Sequence, residues 1–405
     1  MRFFFPLLFA ILCAFVGFQF TMRKTFVNPY PLMCDLVAEK IYLPDSDVSK
    51  WKKQCLQRSR LVDPSSKPKL ILTDMNNMLD LLKVSHLRVF EPALVNQYWK
   101  GQSLETGIES EFVDGELVVF KVHPNSTAQK NDIRRGDILV SINEEQPSPW
   151  DAQTVSGKYQ IRRLGKEFSL DLTTSEIHRD EEIRWVPLKN RQGQLIIPSF
   201  RGEFFSEEKM TEIAKSLRTV QSVVVDLRGN AGGNFVAGLR LISLFVCEPT
   251  EIGQLIKPRA REKNPTTLPD NIKDLEQLAI INTHSDVALQ TFRNSSCFKG
   301  KISVLVDNKS ASVAEMTAQA LKEIAGAKIL GTPSSGELLL GVWYGLDELM
   351  KGAEISIPEA VYTSRQGHTI EGQGVQLDRV IYYNLHEMQS GIDSWVRQAL
   401  DQVPK

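Results

Sequence analysis

Ser312 stands directly before a helix-like run, Val313 to Ala325. A serine there has two assets as a nucleophile. The start of a helix is electropositive, and its first amides lack helical partners, so the Val313 N–H can face a developing oxyanion. Gly232-Gly233 follows the strand-like run Ser222-Val223-Val224-Val225. Glycine lets backbone approach a substrate closely, so either amide is a candidate second donor. Read locally, Ser310 and Ser312 serve equally well as helix caps. A serine hydroxyl also needs a base. The candidates are His86, His123, His178, His284, His368, His386, Lys322 and Lys328. Asp226 and Arg228 are placed to hold the glycine turn through hydrogen bonds. Glu315 and Glu323 read as helix-surface or scaffold carboxylates.

These residues need elements to position them. Ser222 to Leu227 and Val304 to Asp307 read as buried strands, each followed by a helix, Ala237 to Phe245 and Val313 to Ala325. Leu195 to Pro198, Lys328 to Leu330 and Ile355 to Tyr362 add strands. Ser206 caps a helix running to Arg218, with Glu207 and Glu208 in its first turn. A last helix spans Ser394 to Gln402. This alternation predicts an α/β core with a mostly parallel sheet. Upstream, Cys34 to Ile41, Ser49 to Ser59 and Thr73 to Leu82 read as helices, and Val84-Ser85-His86-Leu87 ends the last of them. Leu117 to Val122 is a strand, and Gly136-Asp137 turns the chain into another, Ile138 to Ile142.

The chain of 405 residues is 42% hydrophobic and 24% charged, with a formal net charge of -1. That suits two or three folded domains and gives no electrostatic case for nucleic-acid binding. Met1-Arg2 precedes an apolar run, Phe3 to Phe20, closed by Arg23-Lys24. Residues 1–24 therefore read as a signal peptide or signal anchor. Cys13 follows Leu12, too large for a lipoprotein box. The expectation is export across a bacterial-type inner membrane, to the periplasm or beyond, with residues 3–20 as a candidate tether. Beyond this segment lie Cys34, Cys55, Cys247 and Cys297. An even count permits two disulfides in an oxidising compartment, or four free thiols. No Cys/His cluster has zinc-ligand spacing, and no cofactor is implied.

Several short segments occur in a telling order. Asp226-Leu227-Arg228-Gly229-Asn230-Ala231-Gly232-Gly233 is followed by Ser310-Ala311-Ser312-Val313-Ala314-Glu315. Gly331-Thr332-Pro333-Ser334-Ser335-Gly336 and Ile370-Glu371-Gly372-Gln373-Gly374-Val375 come later. Together they resemble the protease core of the C-terminal processing, or tail-specific, serine peptidases. The resemblance spans roughly residues 60 to 385. Those enzymes commonly pair serine with lysine, and the lysine position here is Glu337. The tricorn-type branch instead uses an upstream Ser-His pair, a serine nucleophile and a later glutamate. That resemblance implies Ser312 as nucleophile, His86 as base, Glu371 as its orienting carboxylate and Ser85 as support. The amides of Gly232 or Gly233 and of Val313 become the oxyanion hole. His368 remains the rival base. The usual Pro-Asp of the family is Leu377-Asp378 here.

Residues near 99 to 175 resemble a PDZ module. Thr106-Gly107-Ile108-Glu109 lies where such modules hold a peptide's terminal carboxylate, beside a sheet edge that an extended peptide can join. The implied organisation is a helical region over 25–95 carrying Ser85-His86, a PDZ-like peptide-binding domain over 96–176, and an α/β protease core over 177–405. The expected function is an exported serine endopeptidase acting on unfolded or C-terminally presented polypeptides. The alternative is a catalytically inactive, PDZ-bearing peptide-binding protein on a protease scaffold.

Overall fold

The computed structural model describes residues 28–43, 48–63, 65–257 and 262–401. The expected signal or anchor at 1–24, with Cys13, lies outside the described residues. Among those described, no helix is long and apolar enough to cross a membrane.

Ser222–Asp226 is buried at all five positions, as a β-branched run covered on both faces must be. It pairs in parallel with Gln192–Ile196 on one side and Lys301–Val306 on the other. Lys301–Val306 continues in parallel to Lys328–Gly331, and that strand to Arg379–Val380. Arg184–Leu188 adds an antiparallel edge. Both faces are covered. Helices Phe235–Ile242 and Val313–Ala325 bury Val236, Leu239, Val313, Met316 and Leu321 in one large core. Helix Ser394–Asp401 covers the other face, packing Trp395, Val396 and Ala399 on Val224, Leu305 and Leu330.

A second sheet backs the same large core. Its spine is the eleven-residue strand Glu354–Ser364. Antiparallel partners of this spine are Arg88–Phe90, Leu339–Gly345 and Glu251–Ile256. His284–Gln290 and Glu262–Thr267 extend it. One side of the sheet contributes Ile252, Leu255, Val287, Leu340, Val342 and Tyr362 to the main core. Ile355 and Ile357 point the other way, against helices Tyr30–Lys40, Val48–Ser59 and Pro68–Leu79. The third of these begins before the expected Thr73, because Pro68 suits a first helical turn. Its expected last residues, Asp80–Leu82, tighten into a 3₁₀ turn that Lys83 ends at φ 52°. Cys34–Cys55 and Cys247–Cys297 are disulfides.

In sequence, between these helices and the central sheet, comes a five-stranded antiparallel sheet, formed within Ile108–Leu172. Its own core contains Ile108, Leu117, Val119, Tyr159 and Ile161. Gln102–Glu105 pairs with Ser175–His178 where the chain enters and leaves this unit. Val113, Val118 and Ile138 pack on Met388, in the short helix Leu385–Gln389 near the C-terminal end.

Candidate active site

Strand Lys301–Val306 and helix Val313–Ala325 are joined by a turn that ends at Ser312. Ser312 has φ 57° and ψ −124°. A residue with a Cβ holds such a conformation only when its surroundings over-determine it, at a cost of about 1–3 kcal/mol. Several bonds supply that determination. The Ser312 amide donates to the Glu337 carbonyl at 3.0 Å and to Glu315 Oε2 at 3.1 Å. The Ala311 amide donates to the Asn230 carbonyl at 2.9 Å. Ser310 is structural: its hydroxyl donates to the Leu227 carbonyl at 2.8 Å and accepts from the Asp307 amide at 2.9 Å.

The glycine turn presses against this nucleophile turn. A Cβ on Gly232 would lie 2.7 Å from Ser312 Cβ and 3.0 Å from the Val313 nitrogen. The Gly232 amide, however, donates to Asn230 Oδ1 at 2.8 Å. This corrects the assignment of Gly232 as an oxyanion donor, because its hydrogen is already used. The amides of Gly233 and Val313 donate no hydrogen bond among the described residues. Asn230 holds the turn from below, its Nδ2 donating to the Ile197 carbonyl at 2.7 Å. Asp226 and Arg228, expected to hold the glycine turn, instead bond each other, Asp393 and Tyr383 through their side chains in a buried group. The Arg228 guanidinium donates to Asp226 and Asp393, and it lies beside the stacked rings of Tyr383 and Trp395, 5.9 and 5.6 Å from their centres.

Ser85, His86 and Glu371 form a chain of contacts. Ser85 Oγ donates to Glu371 Oε2 at 2.9 Å and lies 2.9 Å from His86 Nδ1. A hydroxyl has one hydrogen. With that hydrogen on the carboxylate, Ser85 accepts from Nδ1–H, and the Nε2 lone pair of neutral His86 is left free. Glu371 also receives the Ser85 amide at 3.3 Å and the Leu338 amide at 2.9 Å. The Ser85 hydroxyl therefore stands between Glu371 and the imidazole. His86 sits at φ 59°. Burial pushes its pKa down to about 4. Burial also raises that of Glu371, against the bonds from Ser85 and Leu338.

One segment, 336–341, gathers these groups. Gly336 and Glu337 donate their amides to Glu315 at 2.8 and 3.0 Å. The Glu337 carbonyl holds Ser312, and the Leu338 amide holds Glu371. Gly341 faces His86, where a Cβ would lie 3.3 Å from His86 Cβ. Ser312 Oγ and His86 Nε2 make no hydrogen bond to each other among the described residues. In an unliganded site such contacts are often long and tighten on binding.

The rival bases are occupied elsewhere. His368 Nε2 lies 2.8 Å from the Gly374 carbonyl. Lys322 donates to the Gln376 carbonyl at 2.7 Å and pairs with Asp378, which also takes Lys328. Glu323 accepts from Gln319, Ser364 and Gln366. The Glu337 side chain is exposed.

Of the two expectations for Glu315, helix surface or scaffold, the second holds: it is fully buried, and it accepts from Ser312, Ser334, Gly336 and Glu337. Burial raises its pKa against those four bonds. Its spacing, three residues after a serine that starts a helix, is the visible signal, since that is the capping-box position.

The segment Thr106-Gly107-Ile108-Glu109 is tightly knitted. Thr106 Oγ1 donates to the Ala152 carbonyl at 2.7 Å, and Ile108 is buried. A Cβ on Gly107 would lie 2.1 Å from Ser126 Cβ. Glu109 accepts from His123 and Arg179, each at 2.7 Å. Burial works to raise its pKa, but the His123 bond and the charges of Arg179 and Lys121 hold it well below the usual range. Its carboxylate offers no donor to a peptide terminus. Among the described residues, no group of three or more His, Cys, Asp or Glu is placed to hold a metal ion.

Comparison with known proteins agrees with this architecture. Residues 191–381 match the sequence model of peptidase family S41. Over that stretch the chain is similar to peptidases of that family, and curated relatives are named as CtpA-like serine proteases. A probable CtpA-like serine protease of Staphylococcus epidermidis is 23% identical over 326 residues, covering 77% of this chain. This chain spans 61% of that relative's length. The photosystem II D1 C-terminal processing protease superposes with a TM-score of 0.54 at 17% identity, over 87% of this chain and 92% of that one. Mature CPAF complexed with lactacystin gives 0.61 at 14%, over 93% and 97%. At these identities the likeness is one of a mixed α/β fold.

Proposed function

We propose that the chain is a serine-type endopeptidase in which Ser312 is the nucleophile and His86 the base. One observation carries the reading. Glu371, Ser85 and His86 are linked so that the free Nε2 of His86 belongs to the same small assembly, built on residues 336–341, that holds Ser312.

Ser312 Oγ attacks the peptide carbonyl as its proton passes to His86 Nε2. Negative charge develops on the carbonyl oxygen, and the Gly233 and Val313 amides receive it. The imidazolium is stabilised by Glu371 through Ser85. His86 then gives the proton to the leaving amine, and an acyl-enzyme remains. Water, deprotonated by the same imidazole, releases the acid and restores Ser312.

The substrates in this reading are unfolded polypeptides. The five-stranded unit is a PDZ-like module with strand Ile108–Val113 at its edge, where an extended segment can add by backbone pairing. Residues 96–176 would then present polypeptide to the core at 177–405. Export, with residues 3–20 as signal or tether, belongs to the same proposal. It is supported by the apolar run and by the two disulfides.

The test is labelling by a fluorophosphonate probe, followed by cleavage of an unfolded protein. Wild type should label and cleave, while Ser312→Ala should do neither and Ser310→Ala should still label. Equal labelling of wild type and Ser312→Ala would reject Ser312 as the nucleophile.

A further inference from the structure

Beside His86, on the same side of strand Leu339–Gly345, stands a group of four aromatic rings. Gly341 faces His86, and two residues further along the strand Trp343 stacks on Phe90 at 4.5 Å. Tyr98 lies 5.8 Å from Trp343 and tilted to it; Trp99 lies 5.2 Å away and nearly perpendicular. Tyr98 and Trp99 come from helix Pro92–Lys100, which buries none of its residues. Their side chains are 50% and 47% exposed. Large half-exposed rings next to a candidate catalytic base are costly unless something covers them.

The rim of this group is acidic. The Trp99 indole N–H donates to Glu354 Oε2 at 3.3 Å. Glu337, whose carbonyl holds Ser312 and whose neighbour Leu338 holds Glu371, has an exposed side chain within electrostatic reach of Tyr98. Arg88 and Arg179 also lie near Tyr98. Arg179 is paired with Glu109 at 2.7 Å. Glu354, bonded to the Trp99 indole, sets a carboxylate directly at the rings.

Aromatic faces attract cations through their quadrupole, and the aliphatic stems of lysine and arginine lie well on such surfaces. We propose that Phe90, Tyr98, Trp99 and Trp343, rimmed by Glu337 and Glu354, form a subsite for a lysine or arginine side chain of the polypeptide substrate, close to its scissile bond. The proposal rests on the peptidase reading and gives it a specificity. It also gives a use to the carboxylate standing where a lysine was expected. Glu337 is tied to the nucleophile through its backbone, which leaves its side chain to meet substrate.

Binding tests this without turnover. The full chain carrying Ser312→Ala is titrated with unstructured peptides, each bearing one lysine, one norleucine or one glutamate at successive positions. Tryptophan fluorescence reads Trp99 and Trp343. At one position the lysine peptide should bind about tenfold tighter than norleucine, and glutamate more weakly than either. Adding Glu337→Gln should remove most of the difference between lysine and norleucine while the norleucine peptide binds as before. Equal binding of lysine and norleucine peptides at every position would overturn the subsite. So would a preference that Glu337→Gln leaves unchanged. Fluorophosphonate labelling of the wild type reports separately on the catalytic reading, so the two can fail independently.

Discussion

Ser85 and Glu371 meet hydroxyl to carboxylate at 2.9 Å, across 286 positions of sequence. Glu371 therefore reaches His86 only through Ser85, and the two act as one support. Ser85→Ala and Glu371→Gln should each lower kcat/KM, and by similar factors. The double variant should be little worse than the poorer single, because removing either already breaks the link. Steady-state kinetics on one peptide decide it. Losses that multiply in the double variant would mean that Glu371 supports the imidazole without Ser85.

The acidity of His86 sets the pH dependence. Burial pushes its pKa down to about 4, so the imidazole stays neutral, and able to take a proton, far below the range of a solvated histidine. The acid limb of kcat/KM should fall near pH 4 instead of near 6–7. Stability carries the same sign. In the unfolded chain this histidine protonates near pH 6.5, whereas the folded protein resists protonation down to about 4. The unfolded state binds more protons in that window, so His86 makes stability fall as pH drops from about 6.5 to 4. A kinetic limb at 6–7 would show that the ring is solvated in the working enzyme.

Local features of this site were readable in the sequence, and its assembly was not. The helix Val313–Ala325 has the expected bounds, because its start signal and apolar periodicity lie within one short window. The strand Ser222–Asp226 announced itself by its valines. The sheet built on Glu354–Ser364 did not, since its partners come from residues as distant as Arg88–Phe90 and Glu251–Ile256. Segments such as Glu251–Ile256 carry a bulge and an interrupted apolar pattern. The same limit applies to Gly232. Only the placement of Asn230 reveals that its amide is taken.

Glu315 joins the nucleophile turn to the segment that carries the other groups. Glu315→Ala would leave the Ser312, Gly336 and Glu337 amides and the Ser334 hydroxyl without their acceptor. Each buried donor left unsatisfied costs about 1–3 kcal/mol, less where water enters. The net loss should be about 3–5 kcal/mol, of the size seen when a buried charged network is broken. Thermal unfolding should show a drop of many degrees, and fluorophosphonate labelling at temperatures where the variant stays folded should be slow. A variant with native Tm and native labelling would mean that the turn is held without this carboxylate.

Gly341 separates placement of the base from stability of the fold. A Cβ there would come within 2.5 Å of Ser356 Oγ, 3.3 Å of His86 Cβ and 3.5 Å of His86 Cδ2. Ser356 is buried, and its hydroxyl has no hydrogen-bond partner among the described residues. In Gly341→Ala the contact with Ser356 must be relieved first, at an overpacking cost of about 1–3 kcal/mol. The contact with His86 is milder, yet it moves the ring whose Nε2 must meet Ser312. A displacement of about 1 Å at a reacting group costs up to about a hundredfold in rate. Gly341→Ala should therefore lose activity in kcat, with KM little changed. Combining it with Ser356→Gly removes the closest clash, so Tm should recover while kcat stays low. Recovery of both in the double variant would show that Gly341 is required for packing against Ser356 and not for the position of His86.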